Sequence, residues 1–413
     1  MPLQRKLLWV GLLYFAEGLP LGIAIDVLPV YFRVHGLSLE AVGFLSLLGL
    51  PWTLKVLWAP LVDRVGERRH WIAGAAASMA ALLAVLPLLP PAEPTLLLWV
   101  TLLAFTTLSA TQDIAIDAWT IGVLEPGEEG PGNGVRVMAY RAALIAAGGG
   151  LVVLAGRERW PLAFGLGAAM MATLAVAALR APSGAGPSAS TTQPHHVFGP
   201  LTAWLARPAG VALIIFVMTF KLGDAALGPM VKPFWLDRGL SVEEIGFVST
   251  TLGTVATVLG ALAGGWLVRR WGIVPALWGL GALQALSNLG YAAVAFSDLG
   301  REALWGASLV ESATGGLGTA SFLAFLMSVC ERERAATEYA LLSALFGLGR
   351  TLAGTLSGLA AARFGYAAFF ATTFVLALPA FALIPAVAGL VRRDGLAVVA
   401  SSDGPPVSRE GSA

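Results

Sequence analysis

Apolar stretches long enough to cross a lipid bilayer recur from Leu7 to Val391, separated by short breaks that carry charge, glycine or proline. A helix needs roughly 20 residues to cross the hydrocarbon core. Inside that core each backbone N–H and C=O must find its partner within the spanning structure. A bundle of spanning helices is the architecture that follows, and the predicted class is all-α membrane protein. Composition agrees: hydrophobic residues make up 57% of the 413 and charged residues 12%, about half the charge of a soluble domain. Mean hydropathy is +0.77. Twelve spans are predicted, at 7–32, 40–62, 71–90, 95–122, 136–156, 161–180, 209–236, 243–268, 274–297, 303–329, 337–361 and 367–391.

The first span is read as a membrane helix rather than a secretory signal. Its apolar run is long, contains Glu17 and Asp26, and lacks a small-residue cleavage site. A net charge of +1 gives no basis for binding nucleic acid. The single cysteine, Cys330, excludes an intrachain disulfide and reads as a small buried apolar residue. Lysine and arginine bias sets the orientation. With the N-terminus inside, the inner segments hold 14 such residues and the outer ones 6, so both termini are expected in the cytoplasm.

An internal repeat divides the chain. The segment from Gly36 to Ser46 matches that from Gly239 to Ser249 at an offset of 203 residues, with seven identities in eleven and three aliphatic exchanges. Ser109-Ala110-Thr111 and Ser312-Ala313-Thr314 keep the same offset. Each repeat therefore holds six spans in the same orientation, as in carriers whose halves are related by an axis along the membrane normal. The expected organisation is a six-helix half at 1–180, a cytoplasmic linker at 181–208 rich in Ser, Pro, Gly and Thr, a second six-helix half at 209–393, and a disordered cytoplasmic tail at 394–413. His195-His196 falls in the linker, with too few neighbouring ligands for a metal site. No metal and no cofactor are expected. The glycines, 49 in all, suit close helix–helix approach in lipid.

Ionisable side chains inside a membrane are costly and each is a functional candidate. Those within the predicted spans are Glu17, Asp26, Lys55, Asp113, Asp117, Arg141, Lys221, Asp224, Lys232, Glu311 and Arg350. They lie on spans 1, 2, 4, 5, 7, 10 and 11; none lies on span 3, 6, 9 or 12, and these four read as an apolar scaffold facing lipid. Asp113 and Asp117 are four apart and share a helix face. Such a pair can carry a coupling proton, or each acid can pair with Lys55, Arg141 or Lys221 to tie helices together. Lys221 and Asp224 have the spacing of an intrahelical pair. Asp26 and Lys232 fall near outer helix ends, where snorkelling suffices. Arg141 and Arg350 occupy corresponding spans, 5 and 11, and a guanidinium grips a carboxylate or phosphate with two parallel hydrogen bonds. They are expected to meet an anionic substrate or to form a gate ion pair. Trp52, Trp58, Trp119 and Trp235 read as interface anchors. Pro20, Pro29, Pro51, Pro60, Pro229 and Pro233 favour bends in spans 1, 2 and 7.

The loop Ala59-Pro60-Leu61-Val62-Asp63-Arg64-Val65-Gly66-Glu67-Arg68-Arg69 resembles the Gly-x-Leu-x-Asp-Arg-x-Gly-Arg-Arg loop of the major facilitator superfamily, with Ala59 at the first glycine and an extra Glu67. The resemblance implies a major facilitator fold and a cytoplasmic gate at Asp63 and Arg64. Phe15-Ala16-Glu17-Gly18-Leu19-Pro20-Leu21, Leu54-Lys55-Val56-Leu57-Trp58-Ala59-Pro60, Ala110-Thr111-Gln112-Asp113-Ile114-Ala115-Ile116-Asp117, Tyr140-Arg141 and Lys221-Leu222-Gly223-Asp224 are similar to motifs of the AmpG muropeptide permeases. The related acetyl-coenzyme A transporters share the first three. Glu17 departs from the small or amide residue of the family at that position.

That likeness implies a monomeric carrier of the bacterial inner membrane that imports anhydro-muropeptides with protons during peptidoglycan recycling. Its partners are an anionic or glycopeptide substrate, protons and membrane lipid. Lys55, Gln112, Arg141, Lys221 and Arg350 are then expected to bind substrate. Glu17, Asp113, Asp117, Asp224 and Glu311 are expected to carry protons. Carriage of another organic anion, such as acetyl-coenzyme A or a siderophore, is the alternative. A non-transporting sensor is the alternative from another class. The loops are too short and too poor in histidine for a surface active site, so no enzyme is expected.

Overall fold

The computed structural model describes residues 1–92, 95–125, 128–156, 159–182, 209–297, 299–330 and 335–391. Beyond Ala181 and Pro182, the expected linker, His195-His196 and the tail at 394–413 lie outside the described residues. Ten apolar helical segments can each cross a membrane once: α1 Leu3–Val34, α2 Leu39–Leu57, α3 Arg68–Leu88, α4 Leu96–Val123, α5 Gly130–Ala155, α6 Trp160–Leu179, α7 Gly210–Asp237, α8 Val242–Trp271, α9 Ile273–Ser297 and α10 Arg301–Val329. The eleventh, Glu338–Ala388, is interrupted at Gly365, whose φ of 76° and ψ of 162° are open to glycine and strained for other residues. That break makes it two helices, α11 (338–364) and α12 (366–388), and completes twelve. Among the described residues there is no strand.

Two predicted boundaries move for local reasons. Span 2 ends at Leu57 because the chain tightens into 3-10 turns at Leu45–Gly49 and Lys55–Leu57, around Pro51. A short helix, Ala59–Arg64, then restarts with Pro60 in its first turn. Span 5 begins at 130 instead of 136, which brings Arg136 inside the helix. Proline also shapes α7, which breaks at Lys221 (φ −105°, ψ 15°) between Gly210–Thr219 and the stretch Leu222–Asp237 that contains Pro229 and Pro233.

Packing repeats with the sequence. In the first half α1 lies on α5, α3 on α6 and α2 on α4. In the second, α7 lies on α11, α9 on α12 and α8 on α10. The halves meet where α2 crosses α11 and α5 crosses α8, pairs that the same relation exchanges. Without a hydrophobic force between helices in lipid, small residues allow the backbones to touch. Gly43 faces Gly358, Gly354 faces Ser46 and Gly149 faces Gly246. Helices α1, α5 and α8 widen into π-helical turns at this seam, at Ile23–Val27, Ile145–Leu151 and Ile245–Leu252.

The scaffold expectation needs correction at α9. Gln284, Ser287 and Asn288 are buried there and face the polar interior of their half. Hydropathy averages over the whole circumference of a helix and hides a narrow polar stripe. Trp119 and Trp235 are also displaced from the expected membrane interface: both are fully buried, and Trp119 Nε1 donates to the Pro182 carbonyl at 2.9 Å.

A methyl group added at Gly43 would stand 2.8 Å from the Gly358 nitrogen and 3.0 Å from the Thr355 carbonyl oxygen, both backbone atoms that cannot turn aside. Gly43→Ala is expected to lower the thermal unfolding midpoint of the purified protein, at an overpacking cost of about 1–3 kcal/mol. Gly74→Ala on α3, where the methyl meets nothing within 4 Å, is expected to leave the midpoint unchanged or to raise it.

Candidate functional site

Polar side chains gather in three places, each set by where the helices bend or approach. The first is inside the N-terminal half. Asp113 and Asp117, one turn apart on α4, both face Lys55 of α2, whose Nζ lies 3.6 Å from Asp113 Oδ2 and 3.9 Å from Asp117 Oδ2. Asp117 is held further by α1 and α5. Tyr14 Oη donates to its Oδ1 at 2.6 Å, and Arg136 Nη2 lies 3.3 Å from the same oxygen. The Arg136 guanidinium also covers the Tyr14 ring, 4.6 Å from its centroid. Glu17, one turn along α1 from Tyr14, is buried with Oε2 free of any hydrogen-bond partner. The end of this half that holds the N-terminus is tied by Lys6, which reaches Glu125 and Glu128 at 2.7 Å each.

The second cluster belongs to the C-terminal half. At the break in α7, Lys221 pairs with Asp224 at 2.9 Å and donates to the Gly315 carbonyl of α10 at 3.2 Å. Gln284 of α9 donates to the same Asp224 carboxylate. Glu311 and Asp224 both come close to Gly315, with oxygens 3.7 and 4.0 Å from where a Cβ would stand. Thr314 and Ser287 extend the network, 2.8 Å apart. Lys221 contacts Asp224 in this conformation.

The third group spans the two halves. Tyr140 of α5 sits within electrostatic range of Glu17, Asp113, Arg141 and Arg350. Arg141 comes from the first half and Arg350 from the second. Arg141 is half-buried and Arg350 exposed. Among the described residues neither guanidinium forms an ion pair or a hydrogen bond, and Arg350 has only the Phe346 ring, 5.7 Å away, on its flank. Arginine carries its charge at any physiological pH, so each half contributes one guanidinium that has no ion-pair partner among the described residues.

One end of the bundle is sealed. Asp26 of α1 pairs with Lys232 of α7 across the seam. Arg33 grips Asp237 with two nitrogens, at 2.6–2.9 Å, and Tyr366 of α12 donates to the same carboxylate at 2.7 Å. The expectation that Asp26 and Lys232 merely snorkel is corrected: they lie on facing helices 206 residues apart in sequence and neutralise one another. Toward the other end, the segment Glu129–Leu144 of α5 packs on α1, and Gly253–Trp271 of α8 packs on α10, each within its own half.

Sequence-predicted residues divide accordingly. Lys55, Asp113, Asp117 and Glu17 come together, as do Lys221, Asp224 and Glu311, and Arg141 and Arg350 converge on Tyr140. Gln112 does not join them. It is fully buried and its Nε2 reaches the Ile72 carbonyl of α3 at 3.4 Å, because one residue of helix turns it away from the face of Asp113. The backbone of Asp63 and Arg64 closes the helix Ala59–Arg64, and their side chains lie outside the described residues. Sequence reasoning missed Tyr14, Arg136 and Tyr140. Arg136 stood at a predicted span end and was counted as loop, although its spacing of four from Tyr140 puts both on one helix face. Among the described residues no group of three His, Cys, Asp or Glu is placed to hold a metal ion.

Known proteins share this design. The sequence profile of the Major Facilitator Superfamily matches residues 10–337 and again 213–407. The anhydromuropeptide permease of Escherichia coli (strain K12) is 34% identical over 385 residues, which cover 90% of this chain and 78% of the relative. Putative transporter AmpG 4 of Rickettsia felis is 27% identical over 395 residues, 92% of this chain and 95% of the relative. Among solved structures, a bacterial homologue of the human lysosomal transporter Spinster superposes with a TM-score of 0.75 at 15% identity, covering 94% of this chain and 98% of that one. The nucleoside transporter NupG does so with a TM-score of 0.70 at 16% identity, covering 94% and 99%; likenesses at that identity speak for the fold. With two six-helix halves sealed at one end around a polar interior, the chain is a multi-pass membrane transporter that belongs to the major facilitator superfamily, among the AmpG-like permeases.

Proposed function

We propose that this carrier imports anhydro-muropeptides across the bacterial inner membrane, together with protons, by alternating access. The observation that carries the reading is the pair Arg141 and Arg350, one guanidinium from each half, with no acidic partner among the described residues. A muropeptide bears peptide carboxylates, and a guanidinium holds a carboxylate with two aligned charge-assisted bonds. The likeness to a protein named anhydromuropeptide permease supports the choice of substrate. Lys55 and Lys221 stand near as further cations, and Asp63 and Arg64 serve as the inner gate. Glu17, Asp113, Asp117, Asp224 and Glu311 are the acids available to couple protons to transport.

The excess of lysine and arginine in one set of connections supports cytoplasmic termini. On that reading the end sealed by Asp26–Lys232 and Arg33–Asp237 faces the periplasm, and the separated end faces the cytoplasm. The halves, 1–180 and 209–393, rock about the α2–α11 and α5–α8 seams within a monomer. A guanidinium pair recognises carboxylate and phosphate alike, which favours a second reading: carriage of another organic anion, such as acetyl-coenzyme A or a siderophore. A thermal-shift comparison of these ligands with anhydro-muropeptide separates the two, since the true substrate raises the midpoint in proportion to its occupancy.

Proteoliposomes test the function directly. Uptake of anhydro-muropeptide is expected to require an inward proton gradient and to collapse in Asp113→Asn, which strips Lys55 of its nearer acid. Arg141→Gln and Arg350→Gln are each expected to raise KM roughly 10–100-fold, from the loss of a charge-assisted bond of about 1.5–3 kcal/mol. Uptake that ignores the gradient, or an unchanged KM in both variants, contradicts the reading.

The sealed end gives a second test. A charge left alone in a low-dielectric seam costs about 3–5 kcal/mol, whereas removing both partners costs far less. Lys232→Gln is therefore expected to unfold at a lower temperature than the double variant Asp26→Asn/Lys232→Gln.

A further inference from the structure

Three carboxyls share the interior of the N-terminal half, and they are not equally provided for. Asp117 receives the Tyr14 hydroxyl, the Arg136 guanidinium and the Lys55 ammonium. Asp113 has Lys55 at 3.6 Å, and its Oδ1 is buried without a hydrogen-bond partner. Glu17 has neither ion pair nor hydrogen bond among the described residues, and its Oε2 is sealed from solvent. The side chain as a whole is 7% exposed. Two cations, Lys55 and Arg136, thus face three acids, and both are engaged by the aspartates.

The groups that face Glu17 come from every helix packed on it. Asp113 and Asp117 approach from α4, Lys55 from α2 and Arg136 from α5. Tyr14 lies on its own helix and Tyr140 on α5. A bare carboxylate here would have two like charges as neighbours and no donor. A neutral carboxyl has neither penalty, because burying an ion without a partner is far more costly than burying a neutral polar group. The Cα of Gly18, next in the chain, is pressed against the Tyr140 carbonyl of α5, with no room for a side chain. That contact holds α1 close against α5 beside Glu17.

We infer that Glu17 takes up and gives back a coupling proton of this carrier, while Lys55, Arg136 and Tyr14 hold Asp117 as a fixed anion and Lys55 alone faces Asp113. The inference rests on the proton-coupled reading above and narrows the three candidate acids of the N-terminal half to one. The proton binds one carboxylate oxygen of Glu17 and leaves from it unchanged; no other bond is made or broken. Glu17 releases its proton when a rearrangement of α1 against α4 and α5 gives the carboxylate a donor, for which Lys55 and Arg136 are the available cations.

Two measurements test this, one of which needs no substrate. In infrared difference spectra of the purified full chain at neutral pH, the carboxylic-acid C=O band is expected in the wild type and in Asp113→Asn. It is expected to vanish in Glu17→Gln. A band that persists in Glu17→Gln and disappears in Asp113→Asn overturns the assignment and moves the proton to Asp113. The second measurement uses proteoliposomes and anhydro-muropeptide. A one-unit inward pH gradient supports roughly tenfold accumulation per coupled proton. Glu17→Gln is expected to show no accumulation while still exchanging internal for external substrate at the wild-type rate. Accumulation in Glu17→Gln equal to that of the wild type overturns the inference. If the wild type takes up no anhydro-muropeptide, the substrate reading fails and the infrared result still decides the site of the proton.

Discussion

Charge held away from water is the constraint on which this structure depends. An unpaired ion in hydrocarbon is expensive, and this chain carries ions in the interior of seven of its twelve predicted spans. The fold answers by bringing helices together wherever opposite charges can meet. Lys6 joins α1 to the end of α4, Lys55 joins α2 to α4, and Arg136 joins α5 to α4. Lys221 and Gln284 do the same for Asp224 in the second half. These contacts stiffen each half as a unit. The ties between halves are different in kind: a few ion pairs at one end, and glycine-lined crossings along the seam.

That contrast suits a carrier. Bonds within a half persist while the halves move, whereas those across the seam must be exchangeable. Arg33 is bidentate on Asp237 and partly exposed, as is its partner. Such a pair can be replaced by water when the end opens, at little net cost. The glycine crossings allow the backbones to pivot at short range without side chains to disengage. Arg141 and Arg350, neither with an acidic partner among the described residues, lie one in each half. On the proposed function, a bound anion would neutralise both and favour approach of the halves.

Much of the fold was legible in the sequence. Spanning length and polarity gave the helices, and the 203-residue repeat divided them into halves. The candidate site was legible only in outline. Asp113 and Asp117 could be placed on one face from their spacing, but their partners could not be chosen among Lys55, Arg141 and Lys221. Lys55 took both, and Arg136, which stood at the very start of predicted span 5, took Asp117 as well. Gln112 looked like part of the same motif and points away from it. Adjacent residues on a helix differ by about 100° in direction, so a contiguous motif in sequence is split between faces in space.

The sequence by itself determined the environment, the number of helices and their twofold repetition, because these follow from local polarity and from periodic similarity along the chain. Tertiary structure alone decided which charges neutralise each other. Asp26 and Lys232 are 206 residues apart and become partners only when α1 lies beside α7. Glu17, Asp113 and Asp117 are alike as sequence; their differences come from how many donors neighbouring helices deliver to each. Pairing in a membrane is a property of helix proximity, and proximity is set by glycine contacts and bends distributed across the whole bundle.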